Sequence, residues 1–97
     1  MPAYVSLFNF TEQGIKSVKD STKRAEAVRQ ASAAVGGRVI GIWWLMGQYD
    51  GMILFEGPDD ETAMRQLIAN GMLGNIRTNT LRAYSEEEMA RVIGGLP

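Results

Sequence analysis

Residues 38–57 read RVIGIWWLMGQYDGMILFEG, and the fold turns on how this stretch divides. The run Arg38 to Met46 is rich in β-branched, aromatic and aliphatic residues, which fit a pleated strand that is at least half buried. Gly47-Gln48-Tyr49-Asp50 is a tight connection, and a second apolar run follows at about 51–56. A link this short joins the two strands as an antiparallel hairpin. Within the first run, Val39, Trp43 and Leu45 are predicted to point one way and Ile40, Ile42, Trp44 and Met46 the other. Both faces of this strand are therefore apolar.

Working outward, residues 3–10 form a strand with Tyr4, Ser6, Phe8 and Phe10 on one face and Val5, Leu7 and Asn9 on the other. Thr11 can cap a helical segment, which Gly14 and the Asp20-Ser21 pair weaken. From about Thr22 the residues Ala25, Val28, Ser32 and Val35 recur at helical spacing, until Gly36-Gly37 stops the helix. Beyond the hairpin, Gly57-Pro58 ends a strand and Asp59 or Asp60 caps a helix to about Asn70. The predicted inward residues of that helix are Met64, Leu67 and Ile68, and Gly71, Gly74 and Asn75 break it. A fourth strand covers roughly 76–83. Ser85 and Glu88 then have the spacing of a capping box before a last helix with Met89, Val92 and Ile93 on one face.

The order is β-α-β-β-α-β with an extra C-terminal helix, in a single domain spanning 1–97. It predicts an α+β, ferredoxin-like fold in which two helices cover one face of a four-stranded antiparallel sheet. Such a sheet normally alternates apolar with polar residues, because its second face meets water. Adjacent tryptophans must face opposite sides, so one of Trp43 and Trp44 lies outside the sheet–helix core. Either residues 85–97 or a second copy of the chain covers that side. The segment is short, so a homo-oligomer, dimer or higher, is expected. Two such sheets packed face to face make a dimeric α/β barrel, and barrels of this kind often enclose a small-molecule pocket.

Composition narrows the chemistry. The chain has no cysteine and no histidine, which excludes disulfides, thiolate nucleophiles and the commonest metal ligands. Neither a metal nor a cofactor is expected. Ten basic against eleven acidic residues give a net charge of −1, the wrong balance for a nucleic-acid binder. No apolar run approaches the ~20 residues that span a bilayer, and the start lacks a secretory pattern, so a bacterial cytoplasmic protein is expected.

Tyr49 and Asp50 are the sharpest candidates for chemistry: a hydroxyl and a carboxylate at one end of a sheet can orient a ligand or move a proton. The competing reading is turn chemistry, with Asp50 accepting local amide bonds and Tyr49 packing as a lid. Residues 75–82 offer Arg77 and Arg82 beside hydroxyls and amides, a pattern that suits a carboxylate or phosphate but also an edge strand carrying charge. Trp43, Trp44 and Phe8, with Tyr49 and Arg82, are candidates to line a ligand pocket. Aromatic residues on a small sheet are more often core or interface than pocket lining.

These segments together resemble the GYD domain family, whose name describes Gly47-Gln48-Tyr49-Asp50. The same likeness runs through Phe10–Ile15, Lys19–Arg24, Pro58–Thr62 and Gly74–Ser85, in order and across nearly the whole chain. The resemblance implies a ferredoxin-like fold of the dimeric α/β barrel kind and carries over no catalytic residues. Gly51 departs from it, standing where an aliphatic strand residue is expected; a glycine there would loosen the strand or admit a neighbouring backbone. The leading expectation is an oligomeric small-molecule-binding or accessory domain, with a small apolar or aromatic ligand. One alternative is a cofactor-independent enzyme, similar to small monooxygenases or isomerases of this fold. In it Asp50 would be the base, while Tyr49 and Arg77 hold an anionic oxygen. Another alternative is a purely structural self-assembly module.

Overall fold

A computed structural model describes residues 1–97. Strands β1 (Ala3–Phe10), β2 (Arg38–Trp44), β3 (Gly51–Glu56) and β4 (Ile76–Ala83) form one sheet. Helix α1 (Glu12–Lys16) and a 3₁₀ turn (Val18–Asp20) precede α2 (Ser21–Ala34); α3 (Asp60–Met72) joins β3 to β4, and α4 (Glu86–Gly94) ends the chain. The strand order is β2-β3-β1-β4 with every pair antiparallel, so the chain is an α+β domain compatible with a ferredoxin-like arrangement. No helix is long and apolar enough to cross a membrane.

The helix boundaries have local causes. The Thr11 hydroxyl accepts from the Gly14 amide at 3.0 Å, and the Asp59 carboxylate accepts from the Thr62 amide at 2.8 Å. Ser85 and Glu88 form a reciprocal capping box, each side chain accepting from the other's backbone amide at 3.1 Å. Gly71 does not stop α3, which continues to Met72. Gly74, with φ +84°, is the residue that turns the chain.

Tyr4, Phe8, Ile53, Phe55 and Ala63 form the core between the sheet and the helices, and Tyr4 stacks on Phe55 with centroids 5.1 Å apart. Two expectations change here. Val39 shares the helix-side face with Ile42 and Trp44, not with Trp43, because a β-bulge between Val39 and Gly41 shifts the register by one residue. Helix α3 is also rotated from its expected setting: Ala63 is buried and Leu67 packs on the core, while Met64 and Ile68 are 57% and 55% exposed. The small Ala63 lets the helix backbone approach the sheet, and the longer side chains are turned outward.

The other face of the sheet is uncovered. Val5, Leu7, Met52, Leu54, Trp43 and Leu81 share it by register. Trp43 lies along it so closely that a β-carbon at Gly41 would fall 2.3 Å from the indole. Helix α4 does not fold back over this face. Its Val92 and Ile93 are exposed, and it is not among the elements that pack substantially on another. The radius of gyration is 14.6 Å, against about 12.5 Å for a compact chain of this length. Only 11 of 97 residues are buried, which leaves much of the apolar side-chain surface unpartnered in a single copy.

The space above Gly51 is filled by a side chain and not by backbone: a β-carbon there would lie 2.0 Å from Cζ of Phe8. Gly51→Ala should therefore lower stability by about 1–3 kcal/mol through overpacking. Combining it with Phe8→Leu should recover part of that loss in a urea double-mutant cycle. Strict additivity of the two changes would mean that they do not share this space.

Candidate functional site

The Gly47–Asp50 turn is clasped to the end of β1. Gly47 has φ +120°, a backbone setting that glycine adopts without strain. The Leu45 amide donates to the Asp50 carbonyl at 2.8 Å, and the Asp50 amide donates to the Phe8 carbonyl at 2.9 Å. The Asp50 carboxylate accepts from the Phe10 amide at 2.8 Å and from the Asn9 side chain at 3.5 Å. Asn9 also donates to the Gln48 carbonyl at 2.9 Å. The carboxylate therefore closes the sheet where ordinary ladder bonds run out.

Tyr49 reaches from this turn across β1 to β4, where its hydroxyl accepts from Asn79 at 3.1 Å. Asn79 and Arg77 face the open side of the sheet, opposite Leu7 and Asn9 in the register. Arg77 makes no ion pair. One end of the apolar face thus carries a polar group of Tyr49, Asn79, Asn9 and Arg77, and Trp43 lies on the same face. A phenol, two amides and a guanidinium can orient a polar or anionic group. The sequence offered Asn79 as one of the amides beside Arg77 but did not single out Asn9, whose signal was a polar side chain interrupting an apolar face.

The other predicted residues lie elsewhere. Trp44 and Phe8 are on the helix side, lining a cleft of about 360 Å³ with Phe10, Val28, Ile42 and Leu73. Arg82 is at the far end of β4, over Tyr4 at 5.8 Å and Tyr84 at 4.5 Å, and pairs with Glu88 at 3.3 Å. The Ser85 backbone amide, with Arg82 adding to it, holds the Glu88 carboxyl below its ordinary range. The five candidate ligand residues therefore occupy three separate places. No group of histidine, cysteine and carboxylate residues is arranged to hold a metal ion.

Near Arg82, the Tyr4 hydroxyl donates to the Asp60 carboxylate, fixing the start of α3 to β1. Burial, and then the neighbouring Asp60 carboxylate, pushes the Tyr4 phenol up to about 12. An unfolded tyrosine ionises near pH 10. Between about pH 10 and 12 the unfolded chain loses this proton while the folded chain keeps it. Stability from this group is therefore complete below pH 10 and is lost as pH rises toward 12. Denaturant midpoints should fall across that window, and Tyr4→Phe should flatten the fall. An unchanged slope in Tyr4→Phe would assign the effect to other groups. Asp50→Ala should cost about 1–3 kcal/mol in the same assay, because it strands the Phe10 amide.

Comparison with known proteins fits this description. The "Glutamine synthetase and cystathionine beta-lyase binding protein" of Thermus thermophilus is 27% identical over 84 residues, which make up 86% of this chain and 88% of that protein. A crystal structure of a Thermus thermophilus protein superposes with a TM-score of 0.51 at 24% identity, covering 88% of this chain and 95% of the other, and so shares the fold. The GYD domain profile matches residues 4–93, a span that holds all but the first residue of the sheet together with the clasped turn, and the chain belongs to the GYD domain family.

Proposed function

We propose that this chain is a self-associating accessory protein that acts by binding. The observation that carries this reading is the uncovered apolar sheet face, on which Val5, Leu7, Met52, Leu54, Trp43 and Leu81 lie together without α4 packed over them. Contiguous apolar surface of this kind marks an interaction site. Packing two such faces together would give the dimeric α/β barrel arrangement, with Tyr49, Asn79 and Arg77 of each copy at the rim of the joint space. The relative named for binding glutamine synthetase and cystathionine beta-lyase supports a further role, the docking of an enzyme of that kind on the assembled protein.

A second reading, a cofactor-independent enzyme at the same rim, has Tyr49, Arg77 and Asn79 in its favour because they converge on one end of the face. The accessory reading is preferred because Asp50, the base that the enzyme reading needs, has one carboxylate oxygen engaged by the Phe10 amide and the Asn9 side chain in closing the sheet.

Sedimentation velocity tests the assembly. The native chain should run as a dimer or larger at micromolar concentration, and Leu7→Glu, which places a charge in the middle of the open face, should run as a monomer. A monomeric native chain would overturn the self-association reading. Titration against purified glutamine synthetase and cystathionine beta-lyase from the same organism tests the accessory role. A saturable complex with either enzyme supports it, and the absence of binding to both removes that class of partner.

A further inference from the structure

Helix α2 packs against β2 and α3 against β4, on opposite edges of the sheet. At the end of the gap between them, where α3 gives way to β4, lies a cleft of about 360 Å³. Its apolar walls include Phe8, Phe10, Val28, Ile42, Trp44 and Leu73. Phe8 and Phe10 meet edge to face with centroids 5.9 Å apart, and Trp44 stays 43% exposed although it lies on the helix side. Ser21, Arg24, Asn70 and Asn75 are the polar residues that line the cleft. Three of them gather at the end of α1. The Arg24 guanidinium donates to the Ser17 carbonyl at 3.0 Å, to the Ser17 hydroxyl at 3.2 Å, and to the Gly14 carbonyl and the Ser21 hydroxyl at 3.4 Å each. Gly14 in turn lies against the Asn75 backbone, with no room for a β-carbon between them.

All the partners of Arg24 are neutral. The other arginines, exposed Arg77 apart, each have a carboxylate within ion-pair distance, and Arg24 is the one arginine that is half-buried. A half-buried charge is ordinarily paired, because its lost hydration must be replaced. The bonds to Gly14 and Ser17 hold the last turn of α1 and account for where Arg24 sits, but they leave its charge unmet. Its neighbours are set to donate. Ser21 Oγ already accepts from Arg24, and Asn75 Oδ1 accepts from Gln13 at 3.0 Å, while the Ser21 hydroxyl proton and the Asn75 amide N–H groups donate to nothing in the chain. Asn70 makes no side-chain hydrogen bond and can donate or accept, so it does not bias the choice. An end that offers a guanidinium, a hydroxyl proton and amide N–H groups, with its acceptors occupied, selects an anion.

We propose that this cleft binds a small aromatic monocarboxylate, with its ring against Phe8, Phe10 and Trp44 and its carboxylate at the end formed by Arg24, Ser21 and Asn75. The single positive charge suits a single negative one, and the planar guanidinium matches a planar carboxylate. A volume of about 360 Å³ is at the lower end for small-molecule sites and admits one or two rings. The aromatic walls supply the contact area, and the charged end supplies the selection. The proposal rests on reading the chain as a binding protein, but it requires neither self-association nor a partner enzyme.

3-Phenylpropanoate titrated into protein with labelled isoleucine methyl groups provides the test, with 3-phenylpropanamide as the uncharged control. The acid should shift the Ile42 and Ile53 methyl signals and leave Ile93 on α4 unmoved. It should bind roughly tenfold tighter than the amide, the usual effect of a hydrogen bond to a charged group. Arg24→Gln should abolish that preference by weakening the acid alone, and Trp44→Ala should weaken both ligands. An arginine that only braced α1 would change stability and leave the ratio of the two affinities as it was. Equal affinity for acid and amide, no shift at Ile42 and Ile53, or a ratio untouched by Arg24→Gln would overturn the proposal. The comparison of acid with amide on the native chain keeps the test valid if Arg24→Gln fails to fold. A native dimer without these shifts counts against this site alone, whereas a monomer that shows them counts against the self-association reading alone.

Discussion

The governing constraint is that one thin sheet is apolar on both sides, while the chain has helices enough for only one. Helices α2 and α3 bury Tyr4, Phe8, Ile53 and Phe55 against one face. The other face carries residues of the same kind, and nothing in the chain returns to cover them. A two-layer domain is stable when each layer hides its apolar side against the other. Here the arithmetic of layers is incomplete, and an open apolar face is a direct result. The helix layer is itself loosely built: α2 and α3 sit over opposite strands of the sheet, and the gap between them is as much a property of the fold as the open face.

Much of this was legible in the residues. The period-2 pattern of β1, the caps at Thr11, Asp59 and Ser85, and the paired tryptophans on opposite faces all follow from side-chain chemistry that acts within a few residues. The bulge between Val39 and Gly41 was not legible. Gly41 inside the strand is the kind of residue that marks a bulge, but an apolar run without alternation does not say which residue drops out of the ladder, and that slip moves Val39 to the helix side. The setting of α3 failed for a related reason. Apolarity alone nominated Met64 and Ile68 as inward, but distance of approach decided the matter, and Ala63 allows the closer packing.

The sequence named candidate residues without the surroundings that the fold gives them. Tyr49, Asp50 and Arg77 do gather at one end of the sheet. Sequence could not show that the Asp50 carboxylate meets the Phe10 amide, because the two residues lie forty positions apart. Trp44 and Phe8 are separated from Trp43 by the thickness of the sheet, although Trp44 is its neighbour in the chain.

The position of β1 also bears on how the molecule comes into being. It is the first strand made, yet it lies between β3 and β4, and its last ladder partner does not exist until residues 76–83 are in place. Nearly the whole chain must be present before the sheet can close, so the decisive contacts are long in sequence and slow to form. Until then β1 has a partner in β3 on one side only, and its other edge stays open. During synthesis the amino-terminal strand is thus an exposed, aggregation-prone segment in search of its neighbours, and the carboxyl-terminal third of the polypeptide sets the moment at which that hazard ends.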